Sequence, residues 1–159
     1  MHPKFPHVFE PITIRGKTYE NRLIAAPTMF AHSIFTIPPM KENVYRMVEN
    51  RAKGGFGCVS TGEHPVNAEE GTALFYEHHM DFTKFEGPDF EAMKEYADRI
   101  KKHGAICYFE FCHEGARAEH NPPYSPWGPD AYVREDGVEV KALNAEMMEK
   151  ICNDFYNIS

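Results

Sequence analysis

The chain has 159 residues, 42% hydrophobic and 26% charged, a length that suits one compact domain burying roughly two thirds of its unfolded surface. Its 24 acidic and 17 basic residues give a formal net charge of -7, so we expect no basic surface for a nucleic acid. Apolar runs reach only about eight residues and the N-terminus lacks an apolar signal core, so we expect a cytoplasmic protein without a membrane span.

Cysteine and histidine spacing indicates no metal site and no disulfide framework. No Cys-x-x-Cys pair and no His-x-x-x-His or His-Glu-x-x-His motif occurs among the four cysteines and nine histidines, although those spacings are typical of zinc sites. We therefore predict no metal and interpret the cysteines as small buried residues. The cysteines are Cys58, Cys107, Cys112 and Cys152.

The first part of the chain predicts a hairpin and then a buried strand. Residues 12–22 are typical of a hairpin that turns at Arg15 and Gly16. Residues 22–28 form a short apolar run closed by Pro27, a length that favours a strand over a helix. We divide the chain accordingly into an N-terminal hairpin segment, residues 1–21, and a series of strand-helix units, residues 22–159.

Two further strands alternate with three amphipathic helices. We predict helices at 40–53, 88–103 and 144–156, and strands at 56–61 and 105–111, because apolar residues recur at helical spacing in the first set and form short runs in the second. Prolines precede the first helix, and glycines follow the first two helices, as is usual at helix ends. The third helix is predicted to turn four apolar residues inward, namely Met147, Met148, Ile151 and Phe155.

This alternation predicts an α/β architecture with parallel strands joined by helical crossovers. The helix-to-strand connections are short, whereas the predicted loops 62–87 and 112–143 are long and lack regular structure. Long loops are usually functional, and in α/β folds ligands bind at the carboxyl ends of the strands. The alternative is that these loops are insertions without a function.

Three strands cannot close a barrel, and the third helix presents its apolar face to a fourth strand that the sequence does not contain. We therefore interpret residues 1–159 as a single incomplete domain. Either the chain is part of a longer one, or another copy completes the fold.

Five segments of the sequence together resemble the old yellow enzyme family of flavin oxidoreductases, in particular the branch that includes 2,4-dienoyl-CoA reductases and related NADH:flavin oxidoreductases. They occur in order and extend over nearly the whole chain. The segments are FEPI at 9–12, NRLIAAP at 21–27, RAKGGFG at 51–57, KHGA at 102–105 and EFCH at 110–113.

The resemblance implies the N-terminal part of a (β/α)8 TIM barrel, a fold that takes roughly 250 residues when complete. It also implies FMN as the cofactor, NAD(P)H as the reductant, and a small enone or enoyl substrate whose electron-poor C=C bond is reduced. The missing part would supply the catalytic groups and, in longer members, an iron-sulphur cluster. We expect the chain alone to be inactive, and to form a homo-oligomer or to associate with the missing barrel half.

By resemblance, the cofactor would lie against the ends of the three strands. Met29 departs from the family, which usually has Thr or Cys there; because a thioether donates no hydrogen bond, Thr28 would have to substitute. Gly62 would let the backbone approach a planar ring. Pro27 and Gly62 are also compatible with an ordinary strand terminator and turn. The predicted cofactor-binding residues are Ala26, Pro27, Thr28, Met29, Gly62, Glu63 and Glu110.

Glu110 has the most specific predicted role of these residues. Alternation along the strand places Tyr108 and Glu110 on one face and Phe109 on the other. The family has Gln here, which bonds the pyrimidine edge of the flavin as both donor and acceptor. A protonated Glu could imitate that pattern, whereas an ionised one only accepts. The alternative is a carboxylate paired with an Arg or Lys across the barrel.

His113 opens the third loop and is the predicted candidate on the substrate side. Its segment resembles a His-x-Gly-Arg motif of the family, but the arginine is displaced by one residue, at Arg117. The alternative is a structural histidine that bonds the loop backbone.

Two other functions remain open. A noncatalytic half-barrel that binds a partner through its open edge would form a stable oligomer and carry no flavin. A metal-dependent hydrolase or lyase would use Glu63, His64, Glu110 and His113 at the strand ends and would bind stoichiometric metal.

Overall fold

A computed structural model describes residues 4–28, 40–67, 69–71 and 85–158 of the chain. Its regular elements follow in chain order. They are β1 (Ile12–Ile14), β2 (Lys17–Tyr19), β3 (Ile24–Ala25), α1 (Met40–Lys53), β4 (Cys58–Pro65), α2 (Gly87–Lys101), β5 (Ile106–Cys112), a short 3-10 helix (Gly115–Arg117), β6 (Trp127–Gly128), β7 (Tyr132–Val133), β8 (Glu139–Ala142) and α3 (Ala145–Ile158).

The chain divides into two compact units. Among the described residues, unit 1 contains 4–28, 40–63 and 91–110, and unit 2 contains the remainder. Strands β4 and β5 and helix α2 contribute residues to both units.

The main sheet has the strand order β3-β4-β5 and is parallel. In unit 1 the Ile106 N–H donates to the Gly57 carbonyl over 3.0 Å, where β4 and β5 begin. In unit 2 the Val66 N–H donates to the Cys112 carbonyl over 2.9 Å, where both strands end. Since α1 and α2 connect these strands, the predicted α/β architecture with parallel strands is confirmed.

The predicted N-terminal hairpin is present in unit 1. Strands β1 and β2 pair antiparallel with Ile12 opposite Tyr19. Between them, Arg15 has φ 47° and Gly16 has φ 78°. Two consecutive residues with positive φ are typical of a two-residue turn whose twist matches that of the hairpin strands, which explains why the chain reverses at Arg15 and Gly16.

Helices α1 and α2 pack on one face of the sheet in unit 1. The Tyr45 hydroxyl of α1 donates to the Ala92 carbonyl of α2 over 2.8 Å. The Tyr96 ring of α2 contacts the Tyr45 ring at 6.4 Å and the Phe109 ring of β5 at 6.0 Å between centroids. The face of β5 that carries Phe109 is therefore the helix-covered face, and the face that carries Tyr108 and Glu110 is the opposite one.

The Asn21 side chain hydrogen-bonds the segment just before β3 to the segment just before β4. Its Nδ2 donates to the Gly55 carbonyl over 2.7 Å, and its Oδ1 accepts from the Leu23 and Gly57 N–H groups over 2.9 and 3.0 Å. A Cβ atom at position 57 would lie 2.7 Å from the Asn21 backbone oxygen. Only glycine at 57 permits this close approach of the two segments.

Asn21→Ala removes all three hydrogen bonds of this side chain, although the Gly57 N–H keeps its bond to the Leu23 carbonyl over 3.1 Å. We expect a loss of about 2 kcal/mol in the free energy of unfolding, measured by urea denaturation. Asn43→Ala, at an exposed position on α1, is the control and should change stability by less than about 0.5 kcal/mol. Equal stability of the two variants would contradict this account of Asn21.

The prediction that residues 112–143 lack regular structure is wrong. Unit 2 contains a small sheet here with the order β6-β8-β7, in which β6 is parallel and β7 antiparallel to β8. The Arg134 N–H donates to the Val138 carbonyl over 2.9 Å, and Gly137 has φ 83° at the turn. These strands have two to four residues each, too few for an alternation of apolar and polar residues to be recognised.

Strand bounds also differ from those predicted. Strand β3 contains only Ile24–Ala25, because Pro27 and the residues around it have already left the ladder. Strand β4 continues to Pro65, so residues 62–65 are strand and not loop.

Helix α3 in unit 2 buries its predicted apolar face except at one residue. Met147, Ile151 and Phe155 are half-buried and Ile158 is buried, as one helical face should be. Met148, however, is 51% exposed. The charged Lys150 shares the half-buried face, and a salt bridge described below accounts for that position.

Candidate functional site

Three of the predicted cofactor residues lie together in unit 1. A Cβ atom at Gly62 of β4 would lie 3.1 Å from the Pro27 Cβ, 2.7 Å from the Glu110 Cβ and 2.5 Å from the Glu110 Oε2. These residues follow or belong to three consecutive strands, as predicted. We call Pro27, Gly62 and Glu110 the strand-end floor.

The space above Gly62 is taken by the side chain of Glu110. Because two Glu110 atoms would lie within 2.7 Å of a Cβ at position 62, any other residue there would push the glutamate aside. Gly62 therefore makes room for a side chain from the neighbouring strand. The sequence suggests a different use for this glycine, namely contact between a ring and the bare backbone.

Small residues occupy the central strand on this face. Ile24 pairs with Cys58, and alternation then places Ser60 and Gly62 on the same face of β4. On the flanking strands, Ile24 is 53% exposed and Tyr108 is 37% exposed. Within the described residues of unit 1, this face of the sheet is open at both flanks.

Glu110 is exposed, although it lies in a sheet strand. No hydrogen bond or ion pair joins it to another described side chain. The alternative of a carboxylate paired with Arg or Lys thus has no partner among the described residues. Glu110 presents its acceptor oxygens at the edge of the strand-end floor.

The Thr28 hydroxyl has its own partners beside the floor. It donates to the Ala26 carbonyl over 3.4 Å and accepts from Arg51 Nη2 over 3.3 Å. A hydroxyl has one proton to donate, and in this rotamer the Ala26 carbonyl takes it. Arg51 Nη1 is buried without a hydrogen-bond partner among the described groups.

The side chains of two predicted cofactor residues, Met29 and Glu63, lie outside the described part of the chain. Met29 lies outside the described residues. The backbone of Glu63 belongs to β4, and its side chain lies outside the described residues. Ala26 is described, exposed, and accepts the Thr28 hydroxyl bond.

His113 lies in unit 2 and contacts the loop backbone. Its Nδ1 accepts from the Gly115 N–H over 3.1 Å, and its ring stacks on Trp127 at 6.5 Å between centroids. Burial lowers the pKa of His113 below its usual range, which favours the neutral ring. An accepting Nδ1 places the ring proton on Nε2, which is buried against Gly71 and has no hydrogen-bond partner among the described groups. This geometry matches the structural alternative for His113.

Unit 2 also contains a charged cluster that the sequence did not reveal. Lys150 of α3 contacts Glu70 at 2.8 Å, Asp154 at 2.9 Å and Glu69 at 3.3 Å. Glu70 is only 3% exposed, and Asn67 donates to Asp154 over 2.7 Å. The cluster joins α3 to Asn67, Glu69 and Glu70. Its members are about 80 positions apart along the chain, so no local pattern connects them.

No three His, Cys, Asp or Glu side chains lie close enough to hold a metal ion in the part of the chain that the structure describes. Of the set Glu63, His64, Glu110 and His113, the Glu63 side chain lies outside that part. Of the helices that the structure describes, none combines the length and the apolar character that a membrane crossing requires.

Comparison with known proteins gives strong structural likenesses at low sequence identity. No family model matches the chain. The old yellow enzyme from Pichia sp. AKU4542 matches with a TM-score of 0.74 and 20% identity, over 96% of this chain and 41% of that one. Morphinone reductase in complex with tetrahydroNAD matches with a TM-score of 0.74 and 16% identity, over 96% of this chain and 45% of that one.

Histamine dehydrogenase from Rhizobium sp. 4-9 matches with a TM-score of 0.77 and 19% identity, over 99% of this chain and 24% of that one. The chain thus spans less than half the length of these similar proteins. At such identities the likeness establishes the fold. The chain has the parallel α/β fold of one part of the (β/α)8 barrel found in the old yellow enzyme family.

Proposed function

We propose that the chain is part of a flavin-dependent oxidoreductase and that its strand-end floor binds the flavin ring of FMN. The observation that supports this proposal is the contact of Pro27, Gly62 and Glu110, which come from three consecutive parallel strands, at the carboxyl side where α/β folds bind ligands. The similar structures include a reductase and a dehydrogenase by name. NAD(P)H as reductant, an enone or enoyl substrate and a cytoplasmic location remain predictions.

The residues of the floor fit a flat ring with a polar edge. Ala26 is exposed, the sheet face is open at its flanks, where Ile24 and Tyr108 are exposed, and Glu110 offers acceptors at one side of the floor. When bound, flavin supplies hydride transfer. The residues of this chain would bind the ring, orient it and exclude water from one of its faces. No residue of the chain is assigned a catalytic role.

We further propose that additional polypeptide completes the barrel. The exposed apolar side chains of Ile24 and Tyr108 lie on the sheet face opposite the helices in unit 1, which is the interior face in a closed barrel. The occupant is the missing barrel half, or a second copy in a homo-oligomer. The same open face supports the second candidate function, a noncatalytic module that binds a partner and no flavin.

Titration of the purified chain with FMN, followed by quenching of flavin fluorescence, tests the proposal. We expect weak but saturable binding with one flavin per chain. Tyr132→Ala, on β7 of unit 2, changes an exposed aromatic residue away from the floor and should bind equally. Absence of saturable quenching would contradict the proposal, and a stable oligomer in light scattering without quenching would favour the binding module.

A further inference from the structure

Glu110 is the only group with a formal charge within the strand-end floor, and it is not neutralised there. Its Oε2 lies beside Gly62, and no described cation is paired with it. The neighbouring groups on this face that can titrate are Tyr108 on the same strand and Cys58 on β4. From the side of β3, Arg51 reaches Thr28 and not Glu110. The side chain of Glu63 lies outside the described residues.

The edge of the proposed ligand does not suit an ionised carboxylate. A flavin presents a ring N–H between two carbonyl oxygens, so its edge alternates acceptor, donor and acceptor. An ionised carboxylate only accepts: one of its oxygens can take the N–H, and the other then faces a carbonyl oxygen. A protonated carboxyl group both donates and accepts and therefore matches an –NH–C(=O)– edge.

Covering the floor with a ring also favours the neutral form. A bound ring removes water from Glu110, and desolvation disfavours the charged state of a carboxyl group that is paired with no cation of the described residues. Because Gly62 has no side chain, the Glu110 side chain has room next to it within the floor and can form the pair with a ring edge. Hydrogen bonding and desolvation therefore act in the same direction.

We propose that Glu110 takes up one proton when the strand-end floor binds its ring, so that binding of an –NH–C(=O)– heterocycle is coupled to protonation of this chain. The inference rests on the proposed flavin function. The balance is one proton from solvent per ring bound, with no covalent step. Binding consequently weakens as the pH rises.

Riboflavin is the probe that tests this coupling, because it lacks the phosphate group whose own ionisation near pH 6 would interfere. Its dissociation constant is measured between pH 6 and 8.5 for the unaltered chain and for Glu110→Gln. Linkage predicts an increase of about tenfold per pH unit for the unaltered chain when one proton is taken up. Glu110→Gln already has a donor and an acceptor, so its dissociation constant should be flat and lower at the alkaline end.

Glu91→Gln is the matched control, since it removes the same charge from an exposed position of α2 in unit 1. The riboflavin dissociation constant of this variant should rise with pH as steeply as that of the unaltered chain. Calorimetry in two buffers of different ionisation enthalpy gives a second readout, about one proton per riboflavin for the unaltered chain and none for Glu110→Gln.

The outcomes separate the two proposals. A flat dissociation constant for the unaltered chain, with no proton uptake, overturns the coupling and leaves the flavin site intact. The same slope in Glu110→Gln overturns the assignment to Glu110. Failure of both proteins to bind riboflavin at every pH overturns the flavin function itself, and the coupling with it.

Discussion

Gly62→Ala should weaken flavin binding by at least about tenfold and lower the free energy of unfolding by about 1–3 kcal/mol. The new methyl group would lie 2.5 Å from the Glu110 Oε2 and 2.7 Å from the Glu110 Cβ. The carboxylate can swing away, but the Glu110 Cβ is fixed by the strand, so β4 and β5 must shift. Fluorescence quenching measures the first effect, and urea denaturation measures the second.

A double variant shows whether Glu110 causes these losses. In Gly62→Ala/Glu110→Gly both conflicting atoms are gone, so the two changes should be less destabilising together than their separate effects predict, by about 1–2 kcal/mol. Flavin binding should not recover, because the acceptor is also gone. Additive losses of stability would contradict the contact between these positions.

Glu49→Gln should lower the free energy of unfolding by about 1–2 kcal/mol at pH 7. Glu49 of α1 is buried, and its Oε1 contacts Lys102 at 2.9 Å, Lys53 at 3.0 Å and His103 at 3.1 Å. An amide in its place leaves the two lysines together without their counter-charge. Glu91→Gln removes the same charge from an exposed position and should change stability by less than about 0.5 kcal/mol. Urea denaturation compares the two variants.

The Glu49 cluster also makes the free energy of unfolding depend on pH in the acid range. Hydrogen bonds from Lys102, Lys53 and His103 lower the pKa of Glu49 from 4.5 to about 2 in the folded chain. Because the folded value is the lower one, the stabilisation is complete above the unfolded pKa of 4.5 and is lost as the pH falls toward about 2. Between pH 6 and pH 3, Glu49→Gln should therefore lose less stability than the unaltered chain. An equal loss in both would contradict this role for Glu49.

The helices and the hairpin could be predicted from the sequence because their ends have strong chemical signals. Helix α1 covers Met40–Lys53 as predicted, and Gly55, with φ 94°, ends it in a conformation that suits glycine. The hairpin turn was predicted at Arg15 and Gly16, which both have positive φ. Local residue preferences alone decide these features.

Features that depend on contacts between distant segments were predicted poorly. Strands β6, β7 and β8 exist because they pair with one another, and none is long enough to show a period of its own. Met148 was predicted to be buried, but Lys150 takes part in the half-buried face because buried Glu70 pairs with it. Hydropathy does not indicate that a lysine will be partly buried.

The candidate site likewise contains some features that could be predicted from the sequence and others that could not. Parallel strands place Pro27, Gly62 and Glu110 at one edge of the sheet, so their proximity could be predicted from strand order alone. That the Glu110 side chain fills the space above Gly62 depends on a contact across strands and could not be predicted. Likewise, His113 bonds Gly115 two residues later, a detail that depends on loop geometry.

The location of flavin binding is the most direct test of the account. Backbone amide NMR shifts of the isotopically labelled chain would be recorded as riboflavin is added at pH 6. We expect the largest changes at Ala26, Gly62 and Glu110, and little change at Val133 and Val140 of the small sheet in unit 2. Changes concentrated in the small sheet, with the strand-end floor unaffected, would contradict the central claim.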